Sequence, residues 1–149
     1  MPQYRMTPSS WLYDYLKERE QFRPTAFKPT KRDVWTIGYG HTKGVQQGDT
    51  CTVAQGEAWL REDVAWAVEA VNRAVTVPLT QPQFDALVSF VYNVGAPNFL
   101  TSTLLKQLDA GDYEAAADEF PKWNHQAGEV LDGLTVRREQ ERARFLAAA

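Results

Sequence analysis

The stretch Val34-Trp35-Thr36-Ile37-Gly38-Tyr39-Gly40 reads as a β-strand, and its contrast with everything downstream decides the fold. Trp35, Ile37 and Tyr39 fall on one face, Val34, Thr36, Gly38 and Gly40 on the other, because side chains alternate along a strand. One face is large and aromatic. The other is bare apart from Thr36, so a ligand could approach it closely. The surrounding segment from Phe22 to Thr50 is punctuated by Pro24, Pro29, Gly44 and Gly48, which predicts short strands and turns. Upstream, Thr7-Pro8 reads as an N-cap with proline at the first helical position. Trp11, Leu12, Tyr15 and Leu16 then form a helical stripe that must end before Pro24.

After Thr50 the pattern is helical. Thr52-Val53-Ala54-Gln55 fits a capping box, and Val53, Leu60, Val64, Val68, Val71 and Val75 keep one apolar stripe over a long helix ending near Pro78. Thr80-Gln81-Pro82-Gln83 opens another helix with Phe84, Leu87, Val88 and Val91 on one face, stopped at Gly95-Ala96-Pro97. Shorter helices are expected near Leu104–Leu108 and Tyr113–Trp123, and a charged one from Thr135 to Leu146. The pattern is α+β: a small N-terminal β-rich lobe, a long connecting helix and a larger helical lobe, with a cleft expected between unequal lobes. With no linker or repeat, residues 1–149 read as one domain of two lobes.

Composition narrows the class. The chain has 149 residues, 44% hydrophobic and 23% charged, enough to bury about 70% of its unfolded surface. A lone cysteine, Cys51, excludes a disulfide scaffold. No apolar run approaches the roughly 20 residues of a membrane span, and the N-terminus has no signal-peptide pattern, so production in a cytoplasm is expected. The net charge of −3 hides an asymmetry: residues 1–43 carry eight Lys/Arg against four Asp/Glu. A basic lobe suits an anionic polymer. No nucleic-acid motif accompanies it, and no nucleic-acid partner is expected.

The residues also exclude chemistries. His41 and His125 stand apart, H-E-x-x-H is absent and Cys51 has no partner thiol, so neither a metal nor another cofactor is implied. There is no G-x-S-x-G, and Gly38-x-Gly40 is followed by Gly44 one position too late for a dinucleotide fingerprint. Carboxylate chemistry remains: Glu18 and Glu20 where the first helix gives way to the β-rich lobe, and Asp33 just before the strand. Periodicity does not choose between Glu18 and Glu20, since each flanks the apolar stripe.

Glu20-Gln21-Phe22-Arg23-Pro24-Thr25-Ala26-Phe27, followed by Trp35-Thr36-Ile37-Gly38-Tyr39-Gly40-His41-Thr42, resembles the start of the phage-type lysozymes, the endolysins of glycoside hydrolase family 24. The likeness continues through Gln55–Asp63, Gln83-Phe84-Asp85-Ala86-Leu87, Tyr92-Asn93-Val94-Gly95, Ser102-Thr103-Leu104-Leu105, Gly111-Asp112-Tyr113 and Gly133-Leu134-Thr135-Val136-Arg137-Arg138 with Glu141. These motifs stand in the family's order over nearly the whole chain.

The resemblance implies a lysozyme-like fold and hydrolysis, with inversion, of the β-1,4 bond between N-acetylmuramic acid and N-acetylglucosamine in peptidoglycan. It selects Glu20 as general acid and Thr36 as the residue that positions water. The family's catalytic Asp falls at Pro29 or Thr30, neither a carboxylate, in a loop one residue longer than usual. Asp33 is the nearest acid and the candidate for that role, although strand alternation would put it on the Trp35 face. Asn93, Tyr39, Gly40 and Arg138 are implied substrate contacts; Arg137 or Arg138 is expected to orient Glu20, and His41 to be structural, its ring hydrogen-bonded between the lobes. The expected partner is bacterial peptidoglycan, met by a monomer released from the host cytoplasm by a holin, without stable membrane insertion. Two rivals follow from the missing Asp: a lytic transglycosylase using Glu20 alone, or a silent peptidoglycan-binding protein.

Overall fold

The computed structural model describes residues 5–149. Its elements in chain order are α1 (Ser10–Glu20), β1 (Arg23–Phe27), β2 (Thr36–Gly38), α2 (Val53–Ala74), α3 (Gln81–Val94), α4 (Ala96–Leu100), α5 (Thr103–Asp109), α6 (Tyr113–Glu119), a 3-10 turn (Phe120–Lys122), β3 (His125–Gln126), β4 (Glu129–Val130) and α7 (Asp132–Phe145). The chain is mostly helical α+β, as its sequence predicts. It divides into two compact units, Tyr13–Ala65 and the remainder: the N-terminal residues through Leu12 with Trp66–Ala149. The α2 helix begins in the first unit and ends in the second.

In the Tyr13–Ala65 unit, β1 and β2 pair antiparallel with Arg23 opposite Gly38 and Phe27 opposite Thr36. Between those pairs β1 uses four steps and β2 two, so β1 is bulged. Its other edge is also occupied: Ala26 N–H donates to Asp49 O and Cys51 N–H to Pro24 O, each at 2.9 Å. The strand expected over 34–40 shrinks to three residues. Gly38 and Gly40 sit at φ +63° and +86°, turning the chain so that Ile37 and His41 exchange both backbone hydrogen bonds at 2.9 Å. Tyr39 therefore lies in the turn, not in the strand. The unit carries eight Lys/Arg and eight Asp/Glu, so the excess of positive charge in residues 1–43 does not become a basic unit.

Capping explains where α2 starts: Gln55 N–H donates to Thr52 Oγ1 at 3.1 Å, and Gln55 Oε1 accepts from Thr52 N–H at 2.8 Å. Leu60, Val64, Ala67, Val71 and Val75 are the buried stripe; Val53 lies half exposed at the first turn, one turn too early to reach the core. The α1 helix begins at Ser10, not at Thr7, because Ser9 N–H and Oγ both bind the Asp85 carboxylate and fix the entry there.

In the second unit α3 is the central helix. The Thr80/Gln83 capping box opens it, and its residues from Phe84 through Val91 are all buried. A helix buried all round must satisfy its polar side chains internally. Asp85 does so with Ser9, Gln81 and Arg144, and Ser89 with Glu141 and Arg137. Phe90 meets Phe99, Phe120 and Trp123 edge-on with centroids 5.3–6.4 Å apart. Pro121 ends the helix expected to reach Trp123, tightening Phe120–Lys122 into a 3-10 turn. A small β3–β4 hairpin was not expected from the sequence. It turns through Ala127 and Gly128 at φ +52° and +83°.

Candidate active site

The α1 helix stops at Glu20 because Gln21 adopts φ +55° while its N–H still donates to Lys17 O at 3.0 Å. Glu20 thus stands on the last helical residue, exposed, with the hairpin following directly. Its carboxylate lies on the turn at Gly40: a Cβ added there would fall 2.9 Å from Glu20 Oε2 and 3.4 Å from Cδ. The structure therefore brings together Glu20 and the glycine of the T-I-G-Y-G-H stretch.

Thr36 opens β2 in the same hairpin, and its Oγ1 donates to Val34 O at 3.1 Å. With the proton so directed, the lone pairs of Oγ1 are left to accept a hydrogen bond, as holding a water requires. Asp33 is exposed in the preceding turn; Thr30 Oγ1 donates to its Oδ2 at 2.8 Å, and Asp33 N–H to Thr30 O at 3.1 Å. Tyr39 is buried, its ring tilted against Phe22 at 5.3 Å and near the Gly56 Cα position.

The turn is braced by α2, and Gly56 is a contact that the motif reading did not single out. A Cβ on Gly38 would come 3.2 Å from Gly56 Cα, so α2 and the turn pack backbone to backbone. The signal was Gly56 itself, since glycine inside a helix costs about 1 kcal/mol and so marks a close approach. His41 Nδ1 lies 2.8 Å from Asp63 Oδ2, and the imidazole stacks on Trp59 at 4.6 Å. Asp63 belongs to the same unit as His41. Behind the turn, burial pushes the Cys51 thiol above its ordinary range, opposed by a hydrogen bond from the Gly38 backbone.

The remaining site candidates lie in the other unit. Asn93 is exposed near the end of α3, and its Oδ1 accepts from Arg138 Nη2 at 2.9 Å. Arg138 is fully buried over the Phe90 ring, its Nε 2.7 Å from Glu141 Oε1. Arg137 approaches the other carboxylate oxygen at 3.2 Å, and Ser89 Oγ donates to it at 2.6 Å. Burial pushes the Glu141 carboxyl up, while Arg138, Arg137 and Ser89 pull it down. Among the described residues, no three His, Cys, Asp or Glu side chains gather as a metal site.

Comparison with known proteins identifies the family. The family described as Phage lysozyme matches residues 17–141. The chain belongs to the phage lysozyme family. It is 44% identical over 137 residues to the endolysin of Acyrthosiphon pisum secondary endosymbiont phage 1, covering 89% of this chain and 93% of that one. The endolysin of Salmonella phage P22 is 42% identical over 136 residues, covering 88% and 92%. Among solved structures, the muramidase domain of SpmX from Asticaccaulis excentricus superposes with a TM-score of 0.88 at 37% identity, covering 97% of this chain and all of that one. The fold of this phage lysozyme is accordingly lysozyme-like, and the protein is a glycoside hydrolase that acts on peptidoglycan.

Proposed function

We infer that the chain hydrolyses the β-1,4 bond between N-acetylmuramic acid and N-acetylglucosamine, with Glu20 as general acid and Thr36 holding the attacking water. The observation that carries this reading is the seating of the Glu20 carboxylate on Gly40, in the hairpin whose β2 strand bears Thr36. Glu20 protonates the glycosidic oxygen as the bond to the leaving sugar breaks. Water oriented by Thr36 Oγ1 attacks the anomeric carbon from the opposite face, which inverts its configuration. Asp33 is the proposed base for that water: Oδ2 is taken by Thr30, leaving Oδ1 to accept the proton the water loses as it attacks. Exchange with solvent then reprotonates Glu20. Tyr39 and Gly40 supply the turn against which sugar rests. On the helical unit, Asn93 is proposed to bind glycan through its amide N–H groups, because Arg138 occupies its Oδ1; Arg138 acts through Asn93.

The protein works as a monomer, made in the host cytoplasm and released to the wall by a holin. Relatives named SAR-endolysins, from Enterobacteria phages PA-2 and P21, are 42% and 41% identical over 110 residues. Among the described residues here, no helix is long and apolar enough to cross a membrane.

The test is mass spectrometry of fragments released from purified Gram-negative peptidoglycan. Reducing N-acetylmuramic acid ends are expected, and Glu20→Gln should lower their rate of appearance by about 10²–10⁴-fold while peptidoglycan binding persists. Anhydro ends would replace hydrolysis with transglycosylation. No fragments from the wild-type protein would leave a binding protein.

A further inference from the structure

We propose that Gly40 is the positioning residue for Glu20: its missing side chain is the socket in which the carboxylate is held. This rests on the reading of Glu20 as the acid. Gly40 sits at φ +86°, and a Cβ there would stand 2.9 Å from Oε2, 3.4 Å from Cδ and 3.8 Å from Cγ of Glu20. Side-chain carbons do not come that near a carboxylate oxygen, so one partner must give.

The turn is the less yielding of the two. Ile37 and His41 close it with two 2.9 Å backbone hydrogen bonds. Gly38 is packed on the Gly56 backbone, and His41 is fixed by Asp63 and by stacking on Trp59. Glu20 is the terminal residue of its helix and carries a flexible side chain. A methyl group at residue 40 therefore displaces the acid and leaves the turn in place. General acid catalysis needs the carboxyl oxygen within about 2.6–3.2 Å of the leaving oxygen, and a shift of about 1 Å can cost 10²-fold. The turn's lack of atoms is thus part of how the acid is aimed.

Steady-state cleavage of purified peptidoglycan tests this with Gly40→Ala, Gly48→Ala, Glu20→Asp and the Gly40→Ala/Glu20→Asp double variant. Gly48 has φ +89° with nothing within 4 Å of an added Cβ, so Gly48→Ala carries the same backbone strain without the approach. Gly40→Ala should lose about 10–100-fold in kcat with a smaller change in KM, while Gly48→Ala keeps wild-type kcat. Glu20→Asp withdraws the carboxylate by one methylene, so adding Gly40→Ala to it should cost less than threefold more.

The proposal is overturned if Gly40→Ala and Gly48→Ala have equal kcat, or if the two losses multiply in the double variant. Failure of Gly40→Ala to fold, unrelieved by Glu20→Asp, would place the effect in the backbone and overturn it too. Glu20→Gln separates the two levels. A fully active Glu20→Gln removes the reading of Glu20 and this proposal together; an inactive one beside a fully active Gly40→Ala removes only the proposal.

Discussion

The two units of this lysozyme are held by opposite means. In Tyr13–Ala65 the decisive approaches are between backbones and at glycines: Gly38 on Gly56, and Gly40 beneath the Glu20 carboxylate. In the helical unit the decisive contacts are between large side chains, the Phe90 cluster and the fully buried Arg138–Glu141 pair. The first is damaged by adding an atom, the second by removing one. The difference teaches that a site built on absent side chains and a core built on filled volume can share one chain without sharing vulnerabilities.

The largest effect should come from Glu141→Gln, which takes away the buried carboxylate charge that Arg137 and Arg138 share. Removing one partner of a buried pair costs about 3–5 kcal/mol, read as a fall in the denaturation midpoint. A loss below about 1 kcal/mol would break the comparison on the helical side. Next comes Gly56→Ala. Alanine gains about 1 kcal/mol of helix propensity, but its Cβ meets Phe22 at 3.1 Å and Tyr39 at 3.3 Å. Overpacking costs about 1–3 kcal/mol, so we expect a net loss of about 1 kcal/mol in thermal melts. A more stable Gly56→Ala would show that the hairpin tolerates added atoms.

Thr52→Ala sharpens the contrast, because it removes only the cap of α2 and should cost about 1 kcal/mol without changing the pH profile of cleavage. The smallest effect belongs to Arg5→Ala. Arg5 and Arg73 hold the Glu69 carboxyl below its ordinary range, first through their hydrogen bonds. A lowered carboxyl contributes stability above its unfolded pKa and loses it as pH falls through the folded one. In Arg5→Ala, carboxyl NMR should show Glu69 titrating at higher pH, with no measurable change in melting at neutral pH, since the pair is exposed.

Much of this was legible in the sequence because it depends on local rules. The Thr52/Gln55 box, the helix start at Thr80-Gln81-Pro82-Gln83, the Leu60–Val75 stripe and the division into β-rich and helical parts all follow from spacing. Periodicity does not distinguish Glu18 from Glu20; the proposal of Glu20 rests on the family's motif order. What spacing hides is non-local or glycine-driven. The strand ends at Gly38 because positive φ overrides alternation. Asp85 and Ser89 look like polar positions on a surface helix, yet Asp85 binds Ser9, 76 residues away in sequence, and Ser89 binds Glu141, 52 away. The two-residue strands β3 and β4 carry too little pattern to be seen in advance.

The bulged pairing of β1 has a consequence for how such a protein can diversify. Phe27 is fixed opposite Thr36 on one edge and Ala26 is tied to Asp49 on the other, so the segment from Lys28 to Trp35 is held at its base. Residues can be gained or lost there without rotating Thr36 to the other side of its strand. The hairpin can therefore absorb a change of length in this loop. The same segment carries Asp33, so a change of length there resets the reach of that carboxylate while Thr36 keeps its place.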